Sequence, residues 1–193
     1  MKHPNYLLSL FALFALTLLS TPATAQGNQS RPSPHATVNQ RIGAKTEVTI
    51  DYSRPAVKGR KVWGELVPFG FAPGNKYSKD KPYPWRAGAN ENTTIEFSTD
   101  VLIEGQKIAA GKYSIHMIPA ENEPWVVIFN KVNNAWGSYS YDETQDALRI
   151  KVTPAKAPHE EFLTFGFTDL TGNGATAFLH WEQLKVPFKV QVP

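Results

Sequence analysis

The chain has 193 residues, no cysteine, 20 lysines and arginines against 17 aspartates and glutamates, and a formal net charge of +3. The lack of cysteine excludes a disulfide framework, thiol catalysis, thiolate metal ligation and lipid anchoring through a processed N-terminal thiol. Acidic and basic residues are interspersed, which excludes the basic stripe of a nucleic-acid-binding face.

At the N-terminus, Lys2 precedes an apolar run from Leu7 to Leu19 and the small-residue stretch TPATAQ. The run is shorter than the roughly 20 residues of a spanning helix, and Ala23 and Ala25 suit a signal peptidase. Residues 1–25 therefore read as a signal peptide cut after Ala25, and the mature chain carries no transmembrane segment. Such a chain is exported to the periplasm or the medium. Residues 26–43 are polar and rich in proline and serine, so they read as a disordered leader. Residues 44–193 are of a size to fold as one domain around a single core.

Along that domain apolar residues recur with a period of two. In TEVTIDY, Val48, Ile50 and Tyr52 share one side of a half-buried strand. Ile95 and Phe97 continue the pattern, and a turn over Glu104-Gly105-Gln106-Lys107 joins Val101–Ile103 to the segment from Ile108. Tyr113, Ile115 and Met117 then share a face. PWVVIFNK is apolar in both phases and predicts a central strand covered on both sides. Further strands are predicted in GSYSY, ALRIKV, EFLTFGF, ATAFLHW and LKVPFKVQV, with a hairpin at DLTGNGA. One helical turn is predicted near Lys61 to Leu66. Nine or ten short strands with regularly spaced turns predict an all-β fold, a single antiparallel β-sandwich or jelly roll with little helix.

The most informative stretch is PYPWRAGANENTTIEF, residues 82–97. Together with WVVIFNK, WGSYSYDETQDALRI and the closing HWEQLKVPF it resembles the bacterial secreted domain-of-unknown-function family 2911, from about Arg54 to Val192. The Trp-Arg-x-Gly-Ala-Asn-Glu block (Trp85 to Glu91) and the Ala-Gly-Lys-Tyr block (Ala110 to Tyr113) carry the resemblance. It implies export and a β-rich single domain, and it implies no catalytic residues.

Trp85, Arg86, Asn90 and Glu91 gather an indole, a guanidinium, an amide and a carboxylate beside Ala87, Gly88 and Ala89. Arg86 and Glu91 are expected to hold the bend into the next strand, so Arg86→Ala and Glu91→Gln should both lower the melting temperature. Tyr77 and Trp136 lie in loop-like sequence and add aromatic faces that suit the apolar side of a sugar. Trp125 and Trp181 fall in phase with the aliphatic faces of their strands and read as core.

For chemistry the pattern is poorer. A glycosidase needs two carboxyl groups across a cleft, and no Gly-x-Ser-x-Gly elbow marks a serine nucleophile. His116, His159 and His180 have no metal-ligand spacing and read as rim histidines, and no cofactor motif is present. The sequence thus predicts an exported, non-catalytic sandwich that binds a glycan or small polar ligand through Trp85, Arg86, Asn90, Glu91, Tyr77 and Trp136. The alternatives are a structural or protein-interaction module of the cell envelope, marked by an exposed apolar patch, and a hydrolase using carboxylates near Glu91.

Overall fold

The computed structural model describes residues 30–193, so the predicted signal peptide and its cleavage site lie outside the described residues. Strands β1 (His35–Ile42), β2 (Thr46–Ser53), β3 (Thr94–Phe97), β6 (Gly111–Ile118), β7 (Trp125–Asn130) and β8 (Asp146–Val152) form one antiparallel sheet in the order β1-β2-β3-β6-β7-β8. The second sheet, in the order β5-β4-β10-β9, is built from β4 (Val101–Ile103), β5 (Gln106–Ile108), β9 (Ala155–Thr168) and β10 (Gly174–Gln191). The two sheets form the all-β sandwich that the alternation predicts.

Inward residues of the two sheets interdigitate. Phe129 of β7 meets Phe188 of β10 edge to face at 5.8 Å, and Tyr52 of β2 meets Phe165 of β9 at 5.0 Å. Val48, Ile50, Ile95, Ile115, Val127, Leu163 and Leu179 are fully buried between them. Each such side chain contributes about 1.5–3 kcal/mol by leaving water, which is how a cysteine-free domain holds together.

Local chemistry sets the turns. Glu104 and Gly105 (φ 48° and 77°) make a two-residue loop of the type I′ kind, whose twist matches the flanking strands β4 and β5. β7 is buried on both sides, as its doubly apolar sequence predicts.

Four expectations are corrected. Residues 35–42 are not a disordered leader but the edge strand β1, paired residue by residue with β2 from His35↔Ser53 to Ile42↔Thr46. Their polar look is that of an edge: Thr37 and Asn39 face water and bond Asp51 and Thr49, while Ala36 and Val38 pack inward. Residues 61–66 form no helical turn, because Leu66 and Val67 donate to carbonyls five residues back and Gly64 is left-handed (φ 85°). The single helical element among the described residues is a 3-10 turn at Glu143–Gln145. GSYSY is a chain of turns rather than a strand, starting at left-handed Gly137 (φ 66°). ATAFLHW and LKVPFKVQV are one strand, β10, kinked by bulges around Glu182 (φ 56°). Pro187 is tolerated because it falls between the last pair with β9 (Lys185↔Ala155) and the first with β4 (Val190↔Ile103), where no backbone donor is required.

Candidate functional site

Residues 54–93, between β2 and β3, contain no named strand or helix and touch the sandwich through isolated bridges. So long an irregular connection is uncommon inside a domain unless it builds a site.

Its last part is pinned to β6 at two points. Trp85 exchanges both backbone hydrogen bonds with Met117 (2.9 and 2.7 Å), and Ile115 N–H donates to the Thr93 carbonyl (2.8 Å). Residues 86–92 loop out between these anchors. Ala87 and Asn90 take left-handed conformations (φ 50° and 61°), and a Cβ on Gly88 would lie 2.7 Å from Thr93 Oγ1. The Thr93 hydroxyl donates to the Ala87 carbonyl (3.1 Å) and closes the bulge.

Each polar side chain of the bulge ties down a different neighbour. Arg86 Nη1 donates to the Asn90 carbonyl (2.5 Å), and its guanidinium lies 5.0 Å from the centre of the Tyr139 ring. A second neighbour of the guanidinium is the backbone of Gly137, where an added Cβ would sit 2.1 Å from Arg86 Cζ. Asn90 Nδ2 donates to the Ser33 carbonyl (3.4 Å). Asn92 Nδ2 donates to the Gly137 carbonyl (2.8 Å), and its Oδ1 accepts from Ala135 N–H (2.7 Å). Glu91 turns away from Arg86 and pairs with Arg31 at 2.7 Å. A hydrogen bond from its own backbone, followed by Arg31, holds the Glu91 carboxyl below the usual carboxylate range.

Beneath residues 131–143 lies a buried polar cluster on the outer face of β6. The Ser114 hydroxyl donates to the Val132 carbonyl (2.8 Å), so it accepts from His116 Nε2 (2.9 Å). That leaves His116 Nδ1 as acceptor for the Ser138 hydroxyl (2.7 Å) and assigns the Nε2–H tautomer. His116 is therefore no rim residue: it is 2 % exposed, and burial, with the Arg86 charge nearby and against the opposing pull of Asp146, lowers its pKa to about 4. Asp146 in turn accepts from Asn130 Nδ2 (2.7 Å), Tyr141 (2.8 Å) and Arg149 Nε (2.6 Å). Burial, then Asp146, pushes the Tyr141 phenol up.

The six residues singled out from the sequence fall in three places. Trp85, Arg86 and Asn90 line a cleft of about 440 Å³, together with Trp181, Tyr83, Lys58 and Arg60. Trp85 stacks on Trp181 (6.0 Å, 17°), and Trp63 meets Trp85, Trp125 and Trp181 edge-on at 5.7, 4.9 and 5.8 Å. Trp125 and Trp181 are core residues, as their strand phase predicts, yet Trp181 also reaches the cleft. Tyr77 and Trp136 are 65 % and 56 % exposed and line a separate shallow surface with Tyr139 and Ser140. Glu91 lies in a third depression beside Arg31, His35 and Asp51. The Arg86–Tyr139 stack is the wall between the first two places.

Sequence reading missed Lys58 and Arg60, whose one signal is the basic turn Lys58-Gly59-Arg60-Lys61, and it missed the Ser114–His116–Ser138 chain. Among the described residues no group of three or more His, Cys, Asp or Glu side chains is placed to hold a metal ion. His159 pairs with Glu161 (3.2 Å) and His180 bonds the Pro158 carbonyl (2.9 Å). No described helix is long and apolar enough to cross a membrane.

Compared with known proteins, the chain matches no curated protein and no solved structure. Residues 33–190 match the family described as "Protein of unknown function (DUF2911)", a span that takes in β1, the irregular connection and the bulge of residues 86–92. The chain belongs to the DUF2911 family.

Proposed function

We propose that this domain acts after export as a binding module, taking a small polar ligand with a flat apolar face into the cleft above Trp85 and Trp181. The observation that carries this reading is that the long connection of residues 54–93 leaves a cleft of about 440 Å³ floored by indoles, within the ~300–1,000 Å³ of small-molecule sites. The hydrogen bonds of residues 86–92 make its rim rigid, which lowers the entropic cost of binding. Calorimetry with sugars and small polar metabolites, on wild type and Trp85→Phe, tests it. Binding weakened by the smaller ring is expected, and binding indifferent to residue 85 overturns the reading. Intact mass of the exported protein checks the export step, with Gln26 expected as the first residue.

A second reading is favoured by the exposed faces of Tyr77 and Trp136. These rings, with Tyr139 at 5.5 Å from Tyr77, offer a platform for a glycan chain. Affinity electrophoresis in polysaccharide gels separates it from the first: Tyr77→Ala and Trp136→Ala abolish retardation only if the platform is used. Less supports the envelope-interaction reading: exposed Leu66 and Phe69 line separate depressions, and exposed Phe71 adjoins Tyr77, part of the aromatic surface just described. The hydrolase reading needs a carboxyl with a raised pKa, and Glu91 is shifted the other way.

A further inference from the structure

Building on the reading of the cleft as a binding site, we infer that its ligand is an anion: a carboxylate carried on a flat ring, gripped by the Lys58–Arg60 turn while the ring lies against Trp85. The cleft lining is one-sided in charge. Lys58, Arg60 and Arg86 line it, and no aspartate or glutamate does among the described residues. The whole chain mixes 20 basic with 17 acidic residues, and outside the cleft Arg31, Arg41, Lys107 and Arg149 are among the cations that pair with a carboxylate. The cations of the cleft pair with no carboxylate among the described residues.

The turn is built to present them. Arg60 N–H donates to the Val57 carbonyl (3.1 Å), Lys58 and Gly59 are left-handed (φ 49° and 67°), and Lys58 N–H donates to Glu161 Oε1 (2.9 Å). Glu161 bonds the backbone of Lys58 and His159 and forms no ion pair with the Lys58 ammonium, although that charge, after these hydrogen bonds, helps hold the Glu161 carboxyl below the usual carboxylate range. Arg60 Nε and Nη2 donate to the carbonyls of Val57 (3.0 Å) and Ala56 (2.5 Å), which fixes the plane of the guanidinium. Its Nη1 makes no hydrogen bond among the described residues. A fixed guanidinium with one nitrogen free and an ammonium without an ion-pair partner, two residues apart on the lining of one cleft, offer two contacts to the two oxygens of a carboxylate, with little side-chain entropy left to lose on the arginine. Arg86 is spent on Asn90 and Tyr139 and adds its field rather than a contact. Pro55, Leu66, Val67, Pro68 and Pro84 complete an apolar lining beside Trp85, so the ligand's other end is apolar and flat.

The test is a two-dimensional NMR titration of the exported protein with matched probes at millimolar concentration: benzoate against benzamide, and glucuronate against glucose. The anion of each pair is expected to bind about tenfold more tightly than its neutral partner, to shift Trp85 and Arg60 signals, and to weaken as salt is raised. Lys58→Gln is expected to weaken benzoate several-fold with little change in melting temperature, since its ammonium makes no hydrogen bond or ion pair among the described residues and acts on exposed Glu161 only through its field. Arg60→Gln is expected to weaken it about tenfold. If benzamide and benzoate bind equally and both depend on Trp85, the cleft reading stands and the anion inference falls. If phenyl phosphate binds well above benzoate, the carboxylate assignment is overturned. If no probe moves a cleft signal, both readings fall.

Discussion

Tyr113, Ile115 and Met117 on the inner face of β6 meet the opposite sheet, whereas Ser114 and His116 on its outer face meet the loop of residues 131–143. Both faces exclude water, yet the first is held by non-directional packing and the second by a chain of hydrogen bonds with one allowed proton arrangement. Packing fails gradually as volume is lost. A hydrogen-bonded chain fails when one proton is added or one partner is removed, because the orphaned groups have no water to turn to. The same strand therefore carries a robust side, which defines the sandwich, and a conditional side, which holds the wall between the cleft and the aromatic platform.

The largest effect belongs to the packed side. Phe129→Ala empties the contact with Phe188 and Phe97 and should cost about 3–5 kcal/mol, or roughly 10 °C in melting temperature. That loss should be independent of pH, which calorimetric scans at several pH values check.

On the conditional side the signature is pH. His116 has an ordinary value of 6.5 when unfolded and about 4 in the fold, so between these values the unfolded chain takes a proton that the native state refuses. The stability from keeping His116 neutral is fully present above pH 6.5 and is lost as pH falls towards 4, about 3 kcal/mol in all. Urea unfolding across this window should show the decline in wild type, and His116→Gln should flatten it. An unchanged slope in the variant would remove His116 from this role.

A smaller effect sharpens the wall itself. Gly137→Ala introduces a left-handed alanine and drives a methyl into the Arg86 guanidinium, whereas Gly105→Ala, at a similar φ of 77°, meets nothing within 4 Å. Both should lose about 1–2 kcal/mol to backbone strain. The excess at Gly137, read from paired melts, measures the Arg86 stack.

Smallest is Glu91→Gln. Because Glu91 and Arg31 are about half exposed, the pair is worth about 0–1 kcal/mol, and the melting temperature should move by no more than a few degrees. Arg86→Ala should exceed it clearly, which breaks the symmetry the sequence suggested between these two residues.

What the sequence made legible follows from the range of the interactions. β2, β6 and β7 could be read because alternation is local, and Glu104-Gly105 because a turn is decided by its own dihedrals. β1 could not, since an edge strand shows water half of its residues, and its inward Ala36, Val38 and Ile42 are too few to outweigh the proline and serine before them. β10 reads as two strands because Pro187 and the polar stretch at Glu182 mimic a break; bulges within the β9 pairing absorb Glu182, and the hand-over from β9 to β4 makes Pro187 harmless. At the site, the Trp85–Glu91 cluster could be found, but its partners could not: Arg31 is 60 residues from Glu91, and Gly137 meets Arg86 only through the fold. Lys58 and Arg60 show in the sequence only as the basic run Lys58-Gly59-Arg60-Lys61, and nothing in that run says which of its charges face a cleft.

Trp63, Trp85 and Trp181 lie within 5.7–6.0 Å of one another and Trp125 joins them through Trp63 at 4.9 Å, while Trp136 stands apart and 56 % exposed. At such separations the near-ultraviolet transitions of neighbouring indoles couple and excitation energy passes readily between them, whereas exposed Trp136 is expected to emit further to the red. A quencher or ligand reaching Trp85 dims the whole group at once, whereas one settling on Tyr77 and Tyr139 touches only the red component. A ligand-induced change confined to one component would thus tell the cleft from the Tyr77–Trp136 surface without any added label.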